Sequence, residues 1–229
     1  MKTYIIDSAH RSLKERKEYQ VFGHTNVYIK DPLPQNMDMT SVLSAIERDI
    51  PDYLFYDVDT ILVGQFDDLN SRGVKAAYMD GAIYVTNDQT DNEDLVDDIV
   101  HEVAHSVEKM AGRELYGDGA LEQEFLGKKK RFLDILSVRG YNVSNEFRNT
   151  SEYSKEFDEF VFFNLGFEKA GNMTRGLFIV PYASISLSEY FATGFEAYFL
   201  RKERGYLSQV SPVLYKKIDE LTNYSEETY

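Results

Sequence analysis

Strand-like and helix-like spacings of apolar residues follow one another along the chain, and the changeover between them divides it. The segments TYIID at 3–7 and VFGHTNVYIK at 21–30 are rich in β-branched and aromatic residues and read as strands, separated by a charged helical stretch around 11–19. DMTSVLSAIERDI reads as a helix stopped by Pro51, and TILVGQF at 60–66 as another strand. In VKAAYMDGAIYVTN, Asp80 and Gly81 sit between two strand-like runs, the arrangement of a tight hairpin whose turn needs positive φ. Its second strand covers about 82–86. Beyond Gly112 the pattern is mainly helical, at about 119–138, 152–168, 187–204 and 211–222. No internal repeat and no low-complexity linker interrupts it. The expectation is a single α+β domain, with a small mixed sheet in an N-terminal α/β lobe of about 1–112 and a helical C-terminal lobe of about 113–229.

Between the two patterns lies DLVDDIVHEVAHSVEKMAG, residues 94–112. Thr90 followed by Glu93 fits a capping box, Asp94, Asp97 and Asp98 complement the helix dipole, and Gly112 supplies a stop, so a helix is expected over 92–111. Val96, Val100, Val103, Val107 and Met110 recur at helical spacing and commit one stripe to the core. Asp98, His101 and His105 form a neighbouring stripe. Residues four apart on a helix stand one turn apart on the same side, so the imidazoles of His101 and His105 can converge on one ion at about 2.0–2.1 Å each. Glu102, rotated by one position, can reach a water on that ion. This is the HExxH pattern, in which the glutamate is a general base and one Zn²⁺ is the cofactor. The bland alternative is a surface helix that carries two histidines.

Zinc of this kind needs a third protein ligand and an open fourth position. No histidine follows His105 and the chain has no cysteine, so the third ligand should be a carboxylate. The best candidate is Glu189 in SISLSEYFATGFEAYFLRKERG, where Ser186 or Ser188 can cap a helix and Phe191, Phe195 and Phe199 supply a core face. The competing reading is that Glu189 only satisfies a helix dipole.

HEVAH followed by SEYFATGFEAYF resembles the gluzincin peptidases, and more closely the anthrax lethal factor catalytic domain and the clostridial Pro-Pro endopeptidases. That resemblance implies a zincin-like fold, a third zinc ligand at Glu189, and an oxyanion-stabilising tyrosine at Tyr182, seven residues before it. SPVLYKKIDEL at 211–221 is similar to the closing helix of that group. Two departures stand out. Thr193 occupies the place where the group carries a second glutamate, so Glu196 or a water would take over as the partner behind the metal ligands. The long separation of His105 from Glu189 also implies an inserted helical stretch over 119–168.

Composition narrows the picture further. Among 229 residues the net charge is −14, which argues against nucleic acid as a partner, because phosphate binding draws on clustered Lys and Arg. The basic run KKKR at 128–131 reads as the solvated face of a helix. No apolar run suits a membrane span, and the N-terminus turns charged too early for a signal peptide, so a cytoplasmic protein is expected, or one released, injected or packaged in a particle. His10 and His24 have no partner at metal-binding spacing and read as ordinary histidines, and FDEFVFFNLGF at 157–167 as core. The expected activity is zinc-dependent endopeptidase on a peptide or protein substrate, with no nucleic-acid and no membrane partner. The alternative is a non-catalytic structural or virion- or toxin-associated protein. Substrate is expected to pair with the strand formed by Ala82, Ile83, Tyr84, Val85 and Thr86, its specificity leaning towards basic residues.

Overall fold

A computed structural model describes residues 18–223. The strand expected at 3–7, most of the helix expected around 11–19, and His10 lie outside the described residues. The chain divides into two compact units, Met1–Ser106 and Val107–Tyr229. The boundary falls inside the HExxH helix, not after Gly112 as the sequence pattern suggests.

The N-terminal unit is built on a five-stranded mixed sheet. Strands β1 (Glu18–Val21) and β2 (Thr25–Ile29) form an antiparallel hairpin. The run 21–30 is therefore the turn and return strand of a hairpin and not one strand, because Phe22 and Gly23 take φ of 54° and 71° and reverse the chain. Helix α1 (Met39–Asp49), capped by the Asp38 carboxylate on the amides of Thr40 and Ser41, leads into β3 (Thr60–Gly64), parallel to β2. A short helix α2 (Asp67–Arg72) precedes the hairpin of β4 (Ala76–Met79) and β5 (Ala82–Thr86), whose turn residues Asp80 and Gly81 have φ of 46° and 84° as the Asp-Gly signal required. Val27, Ile61, Val63, Ile83 and Val85, on the three inner strands β2, β3 and β5, are fully buried. So are Val42 and Ile46 of α1.

The strand order β1-β2-β3-β5-β4 corrects the expected substrate strand. β5 pairs with β3 on one side, Ile61 opposite Ile83, and with β4 on the other, Tyr78 opposite Ile83. The backbone of Ala82, Ile83, Tyr84, Val85 and Thr86 is thus committed within the sheet, and no peptide can pair with it. The hairpin folds β4 onto the side that the sequence order had left open, and β4 becomes the edge. The Thr86 amide donates to the Lys75 carbonyl at 2.8 Å. By the antiparallel alternation, the Tyr78 amide then points away from β5.

The C-terminal unit is helical: α4 (Gly112–Tyr116), α5 (Ala120–Val138), α6 (Lys155–Glu159) running into a π-helical turn (Phe160–Leu165), α7 (Phe167–Thr174), a 3₁₀ turn (Pro181–Ser184), α8 (Leu187–Phe199), α9 (Arg204–Val210) and α10 (Pro212–Asn223). The helix expected over 152–168 is broken at Gly166, whose φ of 82° ends the π-helical turn. Every residue of α8 from Tyr190 to Phe199 is buried, so this helix is apolar all round and forms the centre of its unit. Among the described residues, no helix is long and apolar enough to cross a membrane.

Only half of the basic run 128–131 is a solvated face: Lys130 and Arg131 are exposed, and the first two lysines are not. Lys129 is fully buried and Lys128 nearly so. Both lie on the inward stripe of α5 marked by Leu121, Phe125, Phe132 and Leu136. The Lys129 ammonium donates to the carbonyls of Thr150 (3.1 Å) and Ile185 (3.2 Å) and lies over the Phe125 and Phe157 rings. Lys128 donates to the Tyr190 hydroxyl and to Ser211 Oγ. Burial holds both amines down at about 8. A lysine whose folded-state pKa lies below its unfolded value costs stability while charged in both states, and that cost fades as pH rises from about 8 towards the unfolded value. Raising the pH from 7.5 to 10 is therefore expected to stabilise the native chain relative to a Lys129→Met variant, measured by urea unfolding at each pH. An unchanged difference between the two contradicts this account of Lys129.

At Gly194 a Cβ would stand 2.4 Å from Leu214 Cδ2, so α8 and α10 approach as closely as they do because this position has no side chain. Gly194→Ala is expected to destabilise by about 1–3 kcal/mol from overpacking, partly offset by the better helix propensity of alanine. Adding Leu214→Ala should restore part of that loss in a double-mutant cycle read by chemical denaturation. Additive effects would place the strain elsewhere.

Candidate metal centre

The HExxH segment lies on α3 (Asn92–Met110). Its N-terminal cap sits one residue later than Thr90 and Glu93 suggest: the Asp91 carboxylate accepts from the amides of Glu93 (2.9 Å) and Asp94 (3.0 Å). The Asp94 carboxylate reaches back to the Thr90 amide at 3.2 Å, and the Thr90 hydroxyl holds its pKa down. Gly112 does not end the helix. It opens α4, and Ala111 makes the bend. Leu95, Ile99, Val100, Val103 and Val107 are fully buried, whereas Met110, expected in that stripe, is half-exposed.

With the core side of α3 so fixed, His101, Glu102 and His105 fall together. One candidate ligand atom from each lies within 4.8 Å of the others. The two imidazole centroids are 4.9 Å apart, with the rings at 77° to each other. Both histidines are half-buried, and Glu102 is buried. Two imidazoles on a tetrahedral zinc put their ligating nitrogens about 3.3 Å apart, so this donor pair fits one ion after small side-chain rotations. Glu102 is held by the sheet: its Oε2 accepts the outward amide of Tyr78 on β4 at 2.6 Å. A carboxylate anchored this way by a backbone donor is oriented without being drawn into the ligand set.

Within the C-terminal unit, Glu189 and Tyr182 form a second group. Ser186 is the cap of α8, its Oγ accepting the Glu189 amide at 3.1 Å, which places Glu189 in the first turn. The neighbouring Ser188 instead donates to the Glu108 carboxylate at 2.5 Å, and Tyr116 donates to the same carboxylate at 2.6 Å. Glu108 belongs to the last turn of α3, so this bond seats the first turn of α8 against it inside the C-terminal unit. The Tyr182 hydroxyl hydrogen-bonds the Glu189 carboxylate, and its ring meets Phe162 edge-on at 5.7 Å. Burial, then the negative charges of Glu189 and Asp158, push the phenol well above its ordinary value, so it stays a proton donor.

The residues expected to stand behind the ligands are engaged differently. The Thr193 hydroxyl donates to the Glu189 backbone carbonyl at 2.7 Å, a bond along the helix and not to the carboxylate. Glu196 pairs with Arg201 at 2.6 Å. Sequence reasoning missed three participants. Asp158 was absorbed into an aromatic core run, yet burial and the Glu189 charge raise its carboxyl, and it accepts from Tyr153 at 2.8 Å. The Tyr78 amide could be found only once β4 was known to be the edge. Gln89, just ahead of α3, donates to Asp98 at 2.7 Å, and no spacing rule announces it.

Comparison with family models, with curated proteins and with solved structures returns no match for this chain.

Proposed function

We propose that this chain is a zinc-dependent endopeptidase with a zincin-like fold. The observation that carries the reading is the His101–Glu102–His105 group on one side of α3, with its glutamate anchored by the Tyr78 amide. His101 and His105 would hold one Zn²⁺, and Glu189 is the proposed third ligand on its sequence position and its resemblance to the gluzincin ligand. Zinc, when bound, supplies a Lewis acid that lowers the pKa of water towards 7 and polarises a scissile carbonyl. Glu102 takes the proton of the attacking water and delivers it to the leaving amine. Its amide anchor keeps the carboxylate aimed throughout, a saving in reorganisation that a mobile side chain would lack. Tyr182, kept protonated by its buried and acidic surroundings, donates to the developing oxyanion. A base beside two imidazoles also argues against a purely structural metal, which would favour four protein ligands.

The purified chain is expected to carry one zinc, lost on replacing His101, His105 or Glu189 by Ala. Metal analysis that finds stoichiometric zinc in all three variants overturns the ligand set. Glu102→Ala is expected to keep its zinc and lose hydrolysis of a diverse peptide library. Tyr182→Phe should also keep zinc while kcat falls by about 10² to 10³, the usual effect of losing one oxyanion donor. Wild-type turnover in Tyr182→Phe removes that residue from the mechanism, and a zinc-loaded wild type with no hydrolytic activity on any peptide favours the non-catalytic reading.

A further inference from the structure

Asp98 precedes His101 by three residues on α3, which sets the two side chains on neighbouring turns of one helix face. Its carboxylate is not left to find its own orientation. Gln89, 6% exposed in the segment between β5 and α3, donates from Nε2 to Asp98 Oδ2 at 2.7 Å and to the Thr86 carbonyl at 3.1 Å. Both partners can only accept, so the amide has one orientation, with the NH₂ group towards them. That orientation leaves Gln89 Oε1 buried without a hydrogen-bond donor. Buried acceptors in this condition are uncommon and carry an uncompensated desolvation cost, tolerated where a group is held for another purpose. Burial pushes the Asp98 carboxyl above its ordinary value, while the Gln89 hydrogen bond and the nearby Lys75 and His101 side chains draw it back and Asp94 opposes them. The His101 imidazole is thus within electrostatic reach of the clamped carboxylate.

We propose that Asp98, clamped by Gln89, is the positioning residue of His101: it fixes the imidazole in one tautomer and one orientation, so that the opposite ring nitrogen is presented to a divalent metal. The inference rests on the metal-binding reading of the HExxH group. The physical reason is general. A neutral imidazole carries one N–H, and a carboxylate that accepts that N–H makes the remaining nitrogen a more basic and better aimed ligand. Two other carboxylates of this helix are already engaged: Glu102 accepts the Tyr78 amide, and Asp94 accepts the Thr90 amide. A merely structural role for Asp98, tying the β5–α3 connection to the helix, would be felt in stability alone.

Two measurements on the full chain separate these roles. Zinc affinity, read by competition with a chromogenic chelator, is expected to fall about 10- to 100-fold in Asp98→Asn, which keeps the shape and an acceptor for Gln89 but removes the charge. Gln89→Ala should weaken zinc less, and serves if Asp98→Asn does not fold. In metal-free protein, long-range ¹H–¹⁵N spectra resolve the four histidines, with His101 assigned by His101→Gln. Wild type should show one His101 tautomer and Asp98→Asn a mixture. Wild-type zinc binding with equal affinity in both variants overturns the positioning role and leaves the metal site standing. No zinc binding by wild type overturns the metal reading and this inference with it. A His101 tautomer unchanged in Asp98→Asn also overturns the positioning role.

Discussion

The candidate chemistry of this protein depends on one geometric constraint: α3 must present His101 and His105 on one side while its other side is consumed by packing. A helix rotated by a single residue would bury an imidazole and expose a valine, so the fully buried Leu95, Ile99, Val100, Val103 and Val107 set the direction in which the histidines point. Burial of these apolar side chains is worth roughly 1.5–3 kcal/mol each, far more than any preference of a half-buried histidine. The core therefore fixes the site, and not the reverse.

Glu102 shows how sheet and helix share that task. It lies one position from His101, towards the buried side, where an unpartnered carboxylate would be costly. The cost is met by the Tyr78 amide, which faces outward because β4 is the sheet edge and alternate residues of an edge strand turn their amides away from the ladder. An edge strand with an unused donor is ordinarily a liability. Here the donor stabilises the carboxylate the proposed reaction requires.

Much of this was legible in the sequence. Helical spacing, the Asp-Gly turn and the HExxH pattern located α3, the β4–β5 hairpin and the His101–Glu102–His105 group, because each depends on contacts a few residues apart. What sequence reading lost depends on which distant segments meet. The chain order β4-β5 does not say which strand ends at the edge, so β5 was wrongly expected to offer a free edge. Lys128 and Lys129 looked solvated because their charge outweighed their place in the stripe of Leu121, Phe125 and Phe132, although their spacing already held the answer. Gly112 looked like a stop because glycine often is one. In this chain it begins the next helix. Asp158 and Gln89 carry no local signature at all, and only the folded chain brings them beside Glu189 and Asp98.

Anomalous diffraction at the zinc edge from crystals of the zinc-loaded chain tests the central claim most directly. The account predicts one peak at about 2.0–2.1 Å from a nitrogen of each of His101 and His105, with Glu102 outside the ligand set and still on the Tyr78 amide. A peak coordinated by Glu102 itself, a peak elsewhere on the chain, or zinc held by only one of the two histidines would contradict it.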